Sequence, residues 1–287
     1  MSSGEYIDDV ISKFDESMVK TSNTLFDLLR SVLYDYVEKG ILQPDSLELA
    51  RLEEKILNAL AQSGYGNNVE DLLKAFPDLE EINEKYYQKA EKLSAKEAVK
   101  ESQRINEHVK QVIDQLRGGG AKEGILKPIE NLIRQQILLK RPVKEVEILL
   151  RNEIISNNLL GRYAGQIAVD ALSQFDGIIN DEVRVKYDLK NFFYIGSLIE
   201  TSRPICDHIR DTYKSAISIN NLDKILDEFC PNGIPSEEKI SYETVNKKKV
   251  KAKKGSGMYK GTNSGNFSTY RGGYGCRHEV KWTRRSQ

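Results

Sequence analysis

The chain has 287 residues, 30% of them charged and 39% apolar, and a formal net charge of zero. That length suits one large domain or two modest ones, and no window of about eighteen residues is apolar enough to predict a membrane span. Three Cys is too sparse and uneven a count for a secreted disulfide scaffold and points to a reducing compartment.

The start, MSSGEYIDDVISKF, has acidic residues and no apolar run, so no signal peptide is expected. The neutral total hides an asymmetry. From Ser241 to Gln287 there are twelve Lys and Arg against two acids, Glu243 and Glu279. A basic tail on an acidic body suits a polyanion or an acidic protein surface as neighbour, or serves only to solvate a loop.

Apolar residues at three- and four-residue spacing predict a helix, or two, over 5–39, from Tyr6 and Ile7 through Leu33 and Tyr36. Gly40 reads as its stop, and Pro44-Asp45-Ser46 as the start of a second helix over 46–62. Residues 63–68 form a turn cluster, and Pro77 a further break. A long polar helix over 79–116 follows, thin in apolar positions and suited to a solvent-bridging spacer or an oligomer seam. His108 lies among its charged residues and reads as a surface residue. Gly118-Gly119-Gly120 then predicts a hinge between a helical region 1–117 and a second region 122–287. No Gly-Lys-Ser/Thr follows it, so it is not a phosphate loop. Compact helices are predicted over 122–139, 141–155 and 159–186.

The period then changes. The stretch 191–199, NFFYIGSLI, predicts a strand. Thr201-Ser202-Arg203-Pro204 predicts a capped helix through Ile209, and 221–229 another. The KKKVKAKKGSG run predicts an exposed, mobile basic loop near 247–257, and Glu279–Trp282 a closing strand. The expected class is α+β, predominantly α-helical, with a small C-terminal sheet.

Two Cys-x-His pairs, Cys206/His208 and Cys276/His278, account for four of the chain's six Cys and His residues. Two ligand pairs from separated segments could meet around Zn2+. In a helix, however, positions i and i+2 diverge by about 200°, so Cys206 and His208 converge only if that segment is not helical. Cys230 is a spare ligand candidate. Cys206 and Cys276 also read as small buried apolar residues, with Arg203 and Arg277 pairing Asp207 or Glu279, and a disulfide between them is disfavoured in a reducing cytosol. Cys206 with His278 is the one nucleophile–base pairing, and with no third orienting residue evident it does not predict an enzyme. Lys247, Lys248, Lys249, Lys251, Lys253 and Lys254, near Tyr259, Tyr270 and Arg271, could hold DNA phosphates without reading sequence.

The order of a long Ala-containing helix, an aromatic strand, Thr201-Ser202-Arg203-Pro204-x-Cys206, a variable excursion, and Gly272-Gly273-Tyr274-Gly275-Cys276-Arg277-His278 before a closing strand resembles the Mu F-like head morphogenesis (minor capsid) proteins of tailed bacteriophages. The resemblance spans about residues 120–282. It implies a structural protein made in the bacterial host cytoplasm and placed in the virion, at the portal vertex or inner capsid surface. It further implies the portal protein, the inner capsid and packaged DNA as partners. Residues 1–117 lie outside it, and their helices could serve homo-oligomerisation.

Overall fold

The structure, a computed structural model, describes residues 2–43, 49–198, 202–243 and 249–285. It is predominantly helical with a small C-terminal sheet, as the sequence pattern predicts. The predicted start of the second helix at Pro44-Asp45-Ser46 lies outside the described residues, as do Thr201, Lys247 and Lys248.

The chain forms two compact units. One comprises Met1–Asp8, Phe76–His108 and Val169–Gln287; the other comprises Asp9–Ala75 and Val109–Ala168. The predicted division at the triple glycine is therefore not where the chain divides. Gly118 N bonds Asp114 O at 2.8 Å and Lys122 N bonds Gly118 O at 3.2 Å, so helical hydrogen bonding runs through the glycines. Their lack of a side chain serves close packing: a Cβ on Gly120 would stand 2.8 Å from Tyr163 Oη, and one on Gly124 would overlap the Tyr163 ring. Tyr163 donates to Gln115 O at 2.7 Å across this contact.

The second unit is otherwise helical. It holds most of the Ser3–Tyr34 helix, Leu52–Gln62, Tyr65–Leu73, Lys127–Leu138 and Val143–Arg151, with π-helical turns at Lys122–Leu126, Asn152–Ser156 and Gly161–Gly165. Gly40 does not end a helix. It shares with Lys39 a positive φ (80° and 53°), the turn that joins β1 (Val37–Glu38) to β2 (Ile41–Leu42). The 63–68 cluster is mostly helix, with Gly64 at φ 90° before Tyr65.

The expected 79–116 helix is three helices: Ala75–Ala90, Ala95–Val99 and Gln103–Arg117. Pro77 sits in the first turn of the first helix, where its missing N–H costs nothing. Lys92 takes φ 58°, and the Ser94 side chain then accepts from Glu97 N to begin the next helix. The pieces pack inward, with Leu93, Ala95 and Val99 buried. His108 is buried rather than on the surface, between Phe76 and Phe175. Its Nε2 lies 2.8 Å from Ala171 O, which only accepts, so Nε2 carries the proton; burial lowers its pKa and keeps the ring neutral.

In the first unit, β3 (Asn191–Ile195) is the middle strand of an antiparallel sheet, between β4 (Ile217–Ser218) and β7 (Glu279–Thr283). The strand predicted over 191–199 stops where Gly196 turns at φ 136°. Phe192 faces Trp282 and Tyr194 faces Val280 in register. The Phe192 and Trp282 ring centroids are 5.1 Å apart, and Phe267 packs on Phe192 at 6.0 Å. All five residues of β7 are buried, although it lies at the sheet edge. The basic segment expected to be a mobile loop contains a strand: β5 (Lys239–Glu243) pairs antiparallel with β6 (Lys249–Lys253).

A buried polar network ties helix Gln166–Tyr187 to β7. Asp176 accepts from Asn83 Nδ2 at 2.8 Å, Lys281 Nζ at 3.2 Å and Arg271 at 2.5 Å. Lys281 Nζ also donates to Ser3 Oγ at 2.8 Å and to Asn83 Oδ1 at 2.7 Å. Burial alone would raise the Asp176 pKa; Lys281 and Arg271 outweigh it and hold the carboxyl at about 2. Asp181, on the same helix, is pushed the other way: burial raises it, and hydrogen bonds and two arginines only partly counter this.

Candidate metal centre

Cys206 rides on the helix Pro204–Thr212, which begins with Pro204 at its first turn after an extended Arg203 (φ −79°, ψ 153°). Cys276 follows a tight loop in which Arg271, Gly273 and Gly275 all take positive φ (48°, 110° and 63°). Gly275 N donates to Asp170 Oδ1 at 2.8 Å and Cys276 N to Gly273 O at 3.1 Å, so the loop is fixed from both sides. His278 stands just before β7.

These segments bring the two sulfurs to 3.8 Å, and Cys276 Sγ to 3.6 Å from His278 Nδ1. Cys206, Cys276 and His278 are all buried, and one donor atom from each lies within 4.8 Å of the others. The group could hold a metal ion. Tyr194 extends from β3 beneath it, its hydroxyl 3.3 Å from Cys206 Sγ and 3.5 Å from Cys276 Sγ. The Tyr194 and His278 rings stack at 4.8 Å with a 9° tilt. Two glycines make this room. A Cβ on Gly272 would overlap Cys206 Sγ and approach Cys276 Sγ to 3.2 Å; one on Gly196 would stand 2.9 Å from the His278 ring.

The electrostatics favour one thiolate in the pair. The Cys206 thiol, donating toward Cys276, is raised well above the usual thiol range, with burial adding to it. Cys276 is lowered well below that range, chiefly by accepting that hydrogen bond and further by His278, against the effect of burial. A carboxyl on the same helix, Asp207, is raised to about 6 by burial and by Asp211. Buried polar atoms without a partner cluster here: His278 Nε2, Asp207 Oδ1 and Arg210 Nε.

His208, expected as a fourth ligand, is not in the group. Because the segment is helical, its side chain leaves Cys206 and packs on Phe229 at 5.3 Å between ring centroids. Cys230 is buried at the end of helix Ile219–Phe229, also outside the group. All three cysteines are free thiols. Arg203 donates to Tyr274 O and Arg277 pairs with Asp8 at 3.4 Å, rather than with Asp207 or Glu279. Gly273 is required by its φ and by Gly257 O, which a Cβ would overlap. Ser202 sits half-buried before the helix.

The basic stretch is less free than its composition suggests. Lys253 pairs with Glu237, and Lys254 with Glu238 at 3.1 Å and Glu228 at 3.4 Å. Lys249 and Lys251 lie in β6. No helix of the described residues is long and apolar enough to cross a membrane.

Sequence reasoning missed Tyr194 and the N-terminal segment. Ser3 Oγ and Gly4 N donate to Glu279 at 2.7 and 2.8 Å, which places the first turn of the first helix beside His278. Tyr194 had a signal: it alternates with Phe192 along a strand and so shares its inward face. The Ser3–Glu279 contact had none, because no local pattern reports a pairing 276 residues apart. Comparison with protein-family models, curated proteins and solved structures finds no match to this chain.

Proposed function

We propose that the chain is a structural minor head protein of a tailed bacteriophage, of the Mu F-like kind, and that Zn2+ closes its C-terminal module. The observation that carries the reading is the 3.8 Å approach of the Cys206 and Cys276 sulfurs, one from each half of a signature split by 70 residues. The role is assembly rather than catalysis: the portal or inner capsid surface is the partner, and the virion is where the protein resides.

The spacing supports zinc. Around a tetrahedral ion with Zn–S of about 2.3 Å and Zn–N of about 2.0 Å, two sulfurs stand about 3.8 Å apart and sulfur stands about 3.5 Å from nitrogen. Two of the three pairs sit at 3.8 and 3.6 Å, and all three donors lie within 4.8 Å of one another. The Tyr194 hydroxyl would donate to the thiolates and hold them in place.

Two measurements test the two halves of the reading. Protein purified without chelator is expected to carry one zinc per chain and Cys276→Ser to lose it; a metal-free wild type retires the zinc. In infected cells the chain is expected to copurify with the portal protein and sediment with heads. Recovery free of both sinks the assembly role.

A further inference from the structure

We propose that the metal held by Cys206, Cys276 and His278 keeps one exchangeable coordination position, reached from the adjoining cleft, and that a small anion takes it with Arg203 and Arg210 as counter-charges. This rests on the metal reading above. Three donors leave a tetrahedral ion one vertex short, the arrangement in which a solvent molecule or an external ligand completes the shell. Among the described residues, no fourth Cys, His, Asp or Glu joins the group.

All three ligands form part of the wall of a cleft of about 770 Å³ in the first unit. The cleft also exposes Arg203, Arg210 and Arg277, and the acids Glu5, Asp8 and Glu279. The acids are largely engaged. Asp8 pairs with Arg277, and Glu279 is held by Ser3, Gly4 and Lys281. Glu5 accepts from Ser2 N at 2.8 Å.

The two remaining arginines are not matched by carboxylates among the described residues. Arg203 donates to the Tyr274 carbonyl, and Arg210 Nη1 to the Tyr194 carbonyl at 3.0 Å. Arg210 Nε is buried with no partner. A buried guanidinium N–H without an acceptor is costly, and an anion bound at the metal would satisfy it. With two thiolates as ligands the bound zinc is formally neutral, so the anion's charge must be met from these side chains.

The test uses the full chain loaded with Co2+, whose visible bands report coordination. Azide and acetate are titrated against perchlorate at matched ionic strength. Saturable band shifts are expected with azide and acetate and none with perchlorate. Arg210→Met is expected to weaken the anion titration about tenfold, as for one lost charge-assisted contact, while leaving Co2+ affinity unchanged. His208→Ala and Cys230→Ser should keep the anion response. A spectrum indifferent to azide and acetate overturns the open position, as does loss of tetrahedral bands in either of those two variants, which would mark a fourth protein ligand. A chain that takes up no Co2+ before any anion is added removes the metal reading itself, and this inference with it.

Discussion

Asp176→Ala is expected to be the most damaging single change in the first unit, costing about 3–5 kcal/mol in a chemical-denaturation experiment. The side chain is wholly buried, and its loss leaves Arg271, at 2% exposure, without a carboxylate among the described residues and Lys281, at 3%, with Glu279 alone at 3.5 Å. Asp176→Asn, which keeps the volume and one acceptor oxygen, for Asn83 and Lys281 or for Arg271 but not both, should cost less. A change under about 1 kcal/mol for the alanine variant would mean that the network is not a stability determinant. The same carboxyl sets an acid limit. Its folded pKa of about 2 lies below the unfolded value of about 3.9, so its contribution is complete above the unfolded value and is lost as pH falls through the folded one. Asp181, whose pKa is raised in the fold, has the opposite sign: it gains stability as it protonates on acidification. Asp181→Asn should therefore raise the midpoint at neutral pH and, by removing a term that opposes the loss at Asp176, steepen the fall on the acid side.

Gly272→Ala is expected to lower metal affinity by about 100-fold, the upper end of what an outer-shell change produces. The added methyl would occupy the place of the Cys206 sulfur and press on Cys276 Sγ at 3.2 Å and Tyr194 Oη at 3.4 Å. None of these atoms is at the end of a flexible chain, so the ligand sulfur must move. Competition with a chromogenic chelator measures the loss. An unchanged affinity, with the variant folded by circular dichroism, would show that the ion does not sit between those sulfurs.

The helices were legible where apolar spacing was strong, as at 122–139 and 221–229, the second of which also starts behind the Ser218 cap. The expected 79–116 helix failed because its breaks depend on Lys92 in a left-handed conformation and on Ser94 and Ser102 as local acceptors, which a smooth polar pattern conceals. His108 was misplaced for a related reason: charged neighbours in sequence lie on the opposite face from the Phe76 and Phe175 side that buries it. For the metal group, two of three donors were legible as a Cys-x-His pair in extended chain. The helical pair could supply only one, for the geometric reason that i and i+2 diverge. The Asp176 network was the least legible, since its partners lie 93 to 105 residues from it, Asn83 before it and Arg271 and Lys281 after it, and are polar residues where pattern reading looks for apolar ones.

The first unit is assembled from three stretches, and Glu279 in the last of them grips Ser3 and Gly4 in the first. During synthesis the second unit is complete once residue 168 has left the ribosome, whereas the first must wait for Thr283. Until then its opening residues and its Cys206 helix are nascent chain without their mates. The thiol pair therefore comes together only after residue 276 has been made, and a ribosome stalled before that point would display a polypeptide with one of the two sulfurs missing.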